Sequence, residues 1–148
     1  MIADVDPVQL YRDLIPTREQ TLMVRMKRRF ATSSMGLFVL YFGSSRTYPD
    51  VCHHTIVLGP RFAGLLEDIF SRKVLPDDFS LYLHRPTATD PCFAPAGHDS
   101  FYALVPVPNL SADINWQQQA EPFADRIVSV LDATVLPGLR EAYGAGSR

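Results

Sequence analysis

The sequence has only two cysteines, one tryptophan and no surplus of basic charge in its 148 residues. Cys52 and Cys92 fall in no metal-like spacing, which excludes a disulfide-dense secreted scaffold and a cysteine zinc motif. Unpaired intracellular thiols are the plainer reading, and a single disulfide stays open. A formal net charge of −2 and a pI near 6.0 argue against a nucleic-acid partner, which would favour a basic surface. The opening residues, MIADVDPVQL, place aspartate where a signal peptide carries lysine or arginine, and no apolar core follows. The longest apolar stretch, MGLFVLYFG, is strand-sized and far short of the ~18–20 residues of a spanning helix. A cytoplasmic chain is expected, with peripheral contact to a membrane left open. Several motifs are lacking too: no G-x-G-x-x-G follows a strand, and there is no P-loop, H-E-x-x-H or G-x-S-x-G. The late GAGS at Gly144–Ser147 reads as a tail rather than a phosphate loop.

What is present is a globular composition, 47% hydrophobic and 20% charged, enough for one domain with one core. Asp6 as N-cap and Pro7 at the first helical position predict a helix from about Pro7 to Ile15, stopped by Pro16. A second helix is predicted over Arg18–Phe30, with Leu22, Met23, Met26 and Phe30 on one side and Arg25, Lys27, Arg28 and Arg29 on the other. Ser33–Ser45 is apolar at successive positions, the pattern of a central strand covered on both faces. His53–Gly59 is a second strand after an RTYPD turn, and Gly59-Pro60 leads into a helix over Arg61–Arg72. Ser80–Arg85 and Phe101–Val107 are two further strands. A last helix begins near Trp116, carries Phe123, Ile127, Val130, Leu131 and Val135, and ends or kinks at Pro137-Gly138. The order ααββαββα defines an α+β fold, a mixed and largely antiparallel sheet with helices packed on it. Its apolar surface exceeds what so few helices cover, which points to a bound apolar ligand or to partner domains.

The residues able to carry chemistry are few. His53 and His54 are adjacent, so in a strand they point to opposite faces and cannot share one metal; hydrogen bonding at the sheet rim is the plainer role. His84 ends an apolar strand, either as a hydrogen-bonded terminus or as a base. Thr87, Thr89 and Asp90 suit side-chain-to-backbone turns in the proline-rich connector between the last two strands, with ligand orientation as the alternative. The basic cluster Arg25–Arg29 beside an apolar stripe is either a solvated face or a contact for anionic headgroups. No nucleophile–base–orienter set is assembled by spacing.

The blocks MGLFVLYFG, YPDVCHHTIVLGPRF, LLEDIF, DDFSLYLHRPTATDPCFAPAGHDSFYALVPVPNL and DRIVSVLDATVLPGL, in this order, resemble the bacterial-type phytoene desaturases. The resemblance runs from about Ala3 to Ala142, with Cys92 standing where a small polar residue is expected. It implies the substrate-binding part of a flavoprotein of the amine-oxidase-like kind, single and partial over 1–148. The family's FAD-binding Rossmann segments have no counterpart here, so the chain is expected to be a fragment, inactive alone, whose FAD is held by a missing domain or partner chain. The resemblance also implies a C40 polyene substrate, oxidised by hydride transfer to flavin with loss of a neighbouring proton. Phe38, Leu40, Phe42, Leu81, Leu83, Tyr102 and Leu104 are expected to line one face of its apolar tunnel. His84, Thr87, Thr89 and Asp90 are expected near the flavin–substrate junction. A freestanding carotenoid- or lipid-binding module without catalysis is the alternative, and an amine-oxidase-like enzyme with another substrate is a third reading that the charge-poor connector disfavours.

Overall fold

A computed structural model describes residues 3–143, so the GAGS stretch lies outside the described residues. The chain divides into an N-terminal unit that ends at Ser34 and a larger unit that begins at Met35.

The N-terminal unit starts as the sequence predicts. Asp6 accepts hydrogen bonds from the backbone N–H groups of Val8 (2.9 Å) and Gln9 (3.1 Å), and Pro7 opens helix α1 (Pro7–Gln9). The helix continues as a π turn, Leu10–Leu14, and ends where Ile15 turns extended before Pro16. The second helix is shorter than expected. Thr17–Glu19 is an isolated 3-10 turn, and α2 (Leu22–Phe30) begins at the N-cap Thr21. Gln20 separates the two: its buried side-chain amide donates to the carbonyls of Tyr11 (2.5 Å) and Ile15 (2.6 Å) and accepts from Arg28 (2.8 Å).

The larger unit is built on four strands, β1 (Gly36–Ser44), β2 (His54–Val57), β3 (Leu81–His84) and β4 (Asp99–Val107). They form one sheet in the order β1-β4-β3-β2, antiparallel at each pairing. β1 and β2, close in sequence, therefore occupy opposite edges. The segment between them passes over the ends of β4 and β3 and is tied there: Tyr48 N–H donates to Asp99 (2.7 Å), and the Val51 carbonyl accepts from Arg85 (3.0 Å).

One face of the sheet is sealed. Helix α3 (Phe62–Glu67), extended by a π turn at Asp68–Arg72, contributes Leu65 and Ile69 to the core. Helix α4 (Trp116–Ala133) lays Phe123, Ile127, Val128 and Leu131 against Leu81, Leu83, Ala103 and Val105. Phe123, wholly buried, meets the rings of Phe38 (5.0 Å) and Phe79 (5.3 Å) edge-on. A turn through Pro137 then leads into α5 (Leu139–Ala142), which starts at Gly138 with φ of 80°.

The other face is not sealed. Leu37, Val39 and Tyr41 of β1 and Ile56 of β2 are exposed, Tyr41 at 74% and Ile56 at 70%. The expected doubly covered central strand is thus an edge strand covered on one face. Two apolar faces look alike in sequence whether a sheet side meets a helix of the same chain or something else.

Candidate functional site

Register arranges the open face into rows that cross the sheet. Tyr41 on β1 pairs with Tyr102 on β4, Tyr102 with His84 on β3, and His84 with His54 on β2. In the next row Val39, Leu104, Tyr82 and Ile56 follow one another. Alternation along each strand puts all eight side chains on the same side. The surface is apolar and aromatic at its middle and carries imidazole at the β2 edge. The Tyr102 ring lies 5.6 Å from that of Tyr41, 6.0 Å from Tyr82 and 4.5 Å from His84. Burial pushes the Tyr82 phenol above its usual range, with the Tyr102 hydroxyl adding to the effect.

This register divides the seven residues expected on one face. Phe38, Leu40, Phe42, Leu81 and Leu83 point to the sealed side, in the core or packed against it. Tyr102 and Leu104 belong to the open side, with His84. A strand's period of two decides this, since Phe42 pairs with Phe101 and Tyr102 is the next residue along. The open-face members that sequence reasoning missed are Leu37, Val39, Tyr41, Ile56 and Tyr82. For Leu37, Val39 and Tyr41 the signal was the odd-numbered alternation within MGLFVLYFG, which only the pairing with β4 makes readable.

The connector from Arg85 to His98 is held at its two ends by one buried ion pair. Arg85 closes β3, and its Nε and Nη2 donate to Asp99 at 2.9 and 3.2 Å. Asp99 opens β4 and is 2% exposed. It also accepts from the Thr87 hydroxyl (2.6 Å) and from Tyr48 N–H, so a single buried carboxylate receives four hydrogen bonds. Thr87 is therefore buried and braces the loop. Asp90 is exposed and caps the turn Pro91–Phe93 through Cys92 N–H (2.9 Å). Thr89 is exposed too, and its hydroxyl meets His53 Nδ1. Arg85 and Asp99 escaped sequence reading, although an arginine and an aspartate flanking a charge-poor loop were the available sign.

The histidines correct a sequence expectation. His53 lies just before β2, where strand alternation does not apply, so its ring turns to the same side as that of His54. Ring centroids are 4.4 Å apart for His53–His54 and for His53–His84, and 5.2 Å for His54–His84. His53 Nε2 and His84 Nε2 approach to 2.5 Å, and His54 Nδ1 is 2.6 Å from the Tyr82 hydroxyl. Burial, followed by the neighbouring His53 and His54, holds the His84 imidazole below the usual histidine value.

Fold and site together define a sheet domain sealed on one side by helices and offering an aromatic, apolar face on the other. No family model matches the chain. It is 45% identical, over 97% of its length, to a neurosporene-forming phytoene desaturase of Cereibacter sphaeroides, and 44% identical, over 94%, to a lycopene-forming phytoene desaturase of Pseudescherichia vulneris. It also shares 38% identity, over 79%, with a 4,4'-diapolycopen-4-al dehydrogenase of Metabacillus indicus. The chain is homologous over most of its length to one segment of the phytoene desaturases. It spans 29% and 30% of the length of the first two of these relatives.

Proposed function

We propose that this chain is the polyene-facing part of an FAD-dependent phytoene desaturase of carotenoid biosynthesis. The observation that carries the reading is the open sheet face, with Leu37, Val39, Tyr41, Leu104 and Ile56 on one side of a sheet whose other side is sealed. A C40 hydrocarbon has no polar handle, so its recognition rests on a long apolar surface and on exclusion of water. Aromatic rings supply that surface at low conformational cost, and the Tyr41–Tyr102 pair runs along it.

FAD, which would take the hydride, is assigned to segments outside this chain. That assignment is supported at two glycines, Gly59 and Gly138, where the space a side chain would take is filled by the chain's own atoms. At Gly59 a Cβ would lie 2.7 Å from the Phe79 carbonyl oxygen, and at Gly138 the Arg46 guanidinium occupies the space. Neither of these two glycines offers a dinucleotide cradle, and no catalytic step is assigned to the described residues. The chain's share is to seat the hydrocarbon and keep it dry. Absorption spectroscopy of the purified chain tests the division. No bound flavin is expected, and one equivalent of FAD held by these residues would overturn it.

A membrane contact belongs to the same reading. No helix among the described residues is long and apolar enough to cross a membrane. Helix α2, however, exposes Leu22, Met23, Met26 and Phe30 and carries Lys27, Arg28 and Arg29 in its last turn. That combination suits a cytoplasmic chain lying at an anionic lipid surface, where an apolar substrate would be delivered.

A further inference from the structure

We propose that His53, His54 and His84 bind one divalent transition-metal ion of the zinc type. Each offers a ring nitrogen, and the three nitrogens lie within 4.8 Å of one another. Around an ion at a Zn–N distance of about 2.0–2.1 Å, tetrahedral donors sit roughly 3.4 Å apart. Small ring rotations reach that spacing: the 2.5 Å pair of His53 and His84 opens while the longest separation closes.

The surroundings treat the rings as ligands are treated. Nδ1 of His53 meets the Thr89 hydroxyl, and Nδ1 of His54 meets the Tyr82 hydroxyl. A partner on one ring nitrogen fixes the tautomer and turns the lone pair of the other outward. Without a cation, the close His53–His84 contact has one proton to share, and the buried Nδ1 of His84 has no hydrogen-bond partner. No carboxylate joins the cluster among the described residues. Three neutral nitrogen donors suit zinc, copper or nickel and disfavour magnesium and calcium, which take oxygen.

The ion would fasten three places at once: the end of the segment that crosses the sheet, the first residue of β2, and the last residue of β3. Thr89 couples the connector to the same point. With three protein ligands, a fourth position stays open to water on the open face.

The untagged chain, stripped with a chelator and titrated with zinc chloride near neutral pH, tests this. One ion per chain and a raised melting temperature are expected. His84→Ala and His54→Ala should each remove both effects, and Thr89→Ala should weaken binding by roughly 10–100-fold. Since His54 is exposed, its variant reads out binding even if His84→Ala misfolds. His98→Ala and the double variant Cys52→Ser/Cys92→Ser should bind as the parent does. Cobalt in place of zinc should give ligand-field bands without thiolate charge transfer. No zinc-dependent heat or stabilisation, binding retained by His54→Ala, or a thiolate band would each overturn the site.

Discussion

Asp99 shows how one residue can hold a loop. Its carboxylate accepts from Arg85, Thr87 and Tyr48, which come from the end of β3, the connector and the segment crossing the sheet. Removing it strands a buried guanidinium and two further donors. Asp99→Ala is expected to cost about 3–5 kcal/mol, the range for breaking a buried pair from one side. Urea denaturation measures this, and a loss under about 1 kcal/mol, the scale of exposed pairs, would mean that the network is solvated. His84 gives a pH test. In the metal-free chain its imidazole should titrate, by NMR, below the ordinary value of 6.5. The unfolded chain then binds the proton first as pH falls. Stability contributed by the neutral ring is therefore full above the ordinary value and is lost as pH drops through it towards the lower folded value. At this scale the sequence was partly legible. Asp6 as a cap and Asp90 as a turn former follow from local chemistry, whereas the Arg85–Asp99 pair depends on two strand ends being neighbours in space.

Elements read best where periodicity has a single solution. Helix α4 was legible because Phe123, Ile127 and Leu131 recur at one spacing, and all three are wholly buried. Phe123→Ala should destabilise the chain by about 3–5 kcal/mol in the same denaturation assay. Val135, placed on that helix by spacing, lies past its end, where the Leu136 N–H returns to the Leu131 carbonyl (2.8 Å). The chain then needs a left-handed residue. Gly138 supplies it, and the Arg46 guanidinium packs where a side chain would start. Gly138→Ala should therefore lower the melting temperature by more than the usual stabilising effect of alanine could offset, about 0.4–1 kcal/mol; an unchanged or raised melting temperature would refute the strain. β1 was harder. Its two faces are equally apolar, so nothing local told which side meets α4 or that the strand lies at an edge. Strand order, with β1 and β2 at opposite edges, is a property of the whole sheet.

For the whole molecule, the excess of apolar surface over available helices was already visible in composition and order. The structure locates part of the excess on the open face of the sheet and part on helix α2. The occupant proposed for that face is a polyene, too apolar to be held by hydrogen bonds. The residues that would touch it are Tyr41, Tyr102 and Leu104 rather than Phe38, Phe42 and Leu83, which are committed to the core. The central claim is therefore tested by measuring polyene binding, as induced circular dichroism of phytoene-derived chromophores such as neurosporene, to the parent chain and to Leu104→Glu and Val39→Glu. Both substitutions put charge on the open face while leaving the sealed core intact. The account predicts a signal with the parent that both variants lose while keeping the parent's far-ultraviolet spectrum. An equal signal from folded variants, or none from the parent, would contradict it.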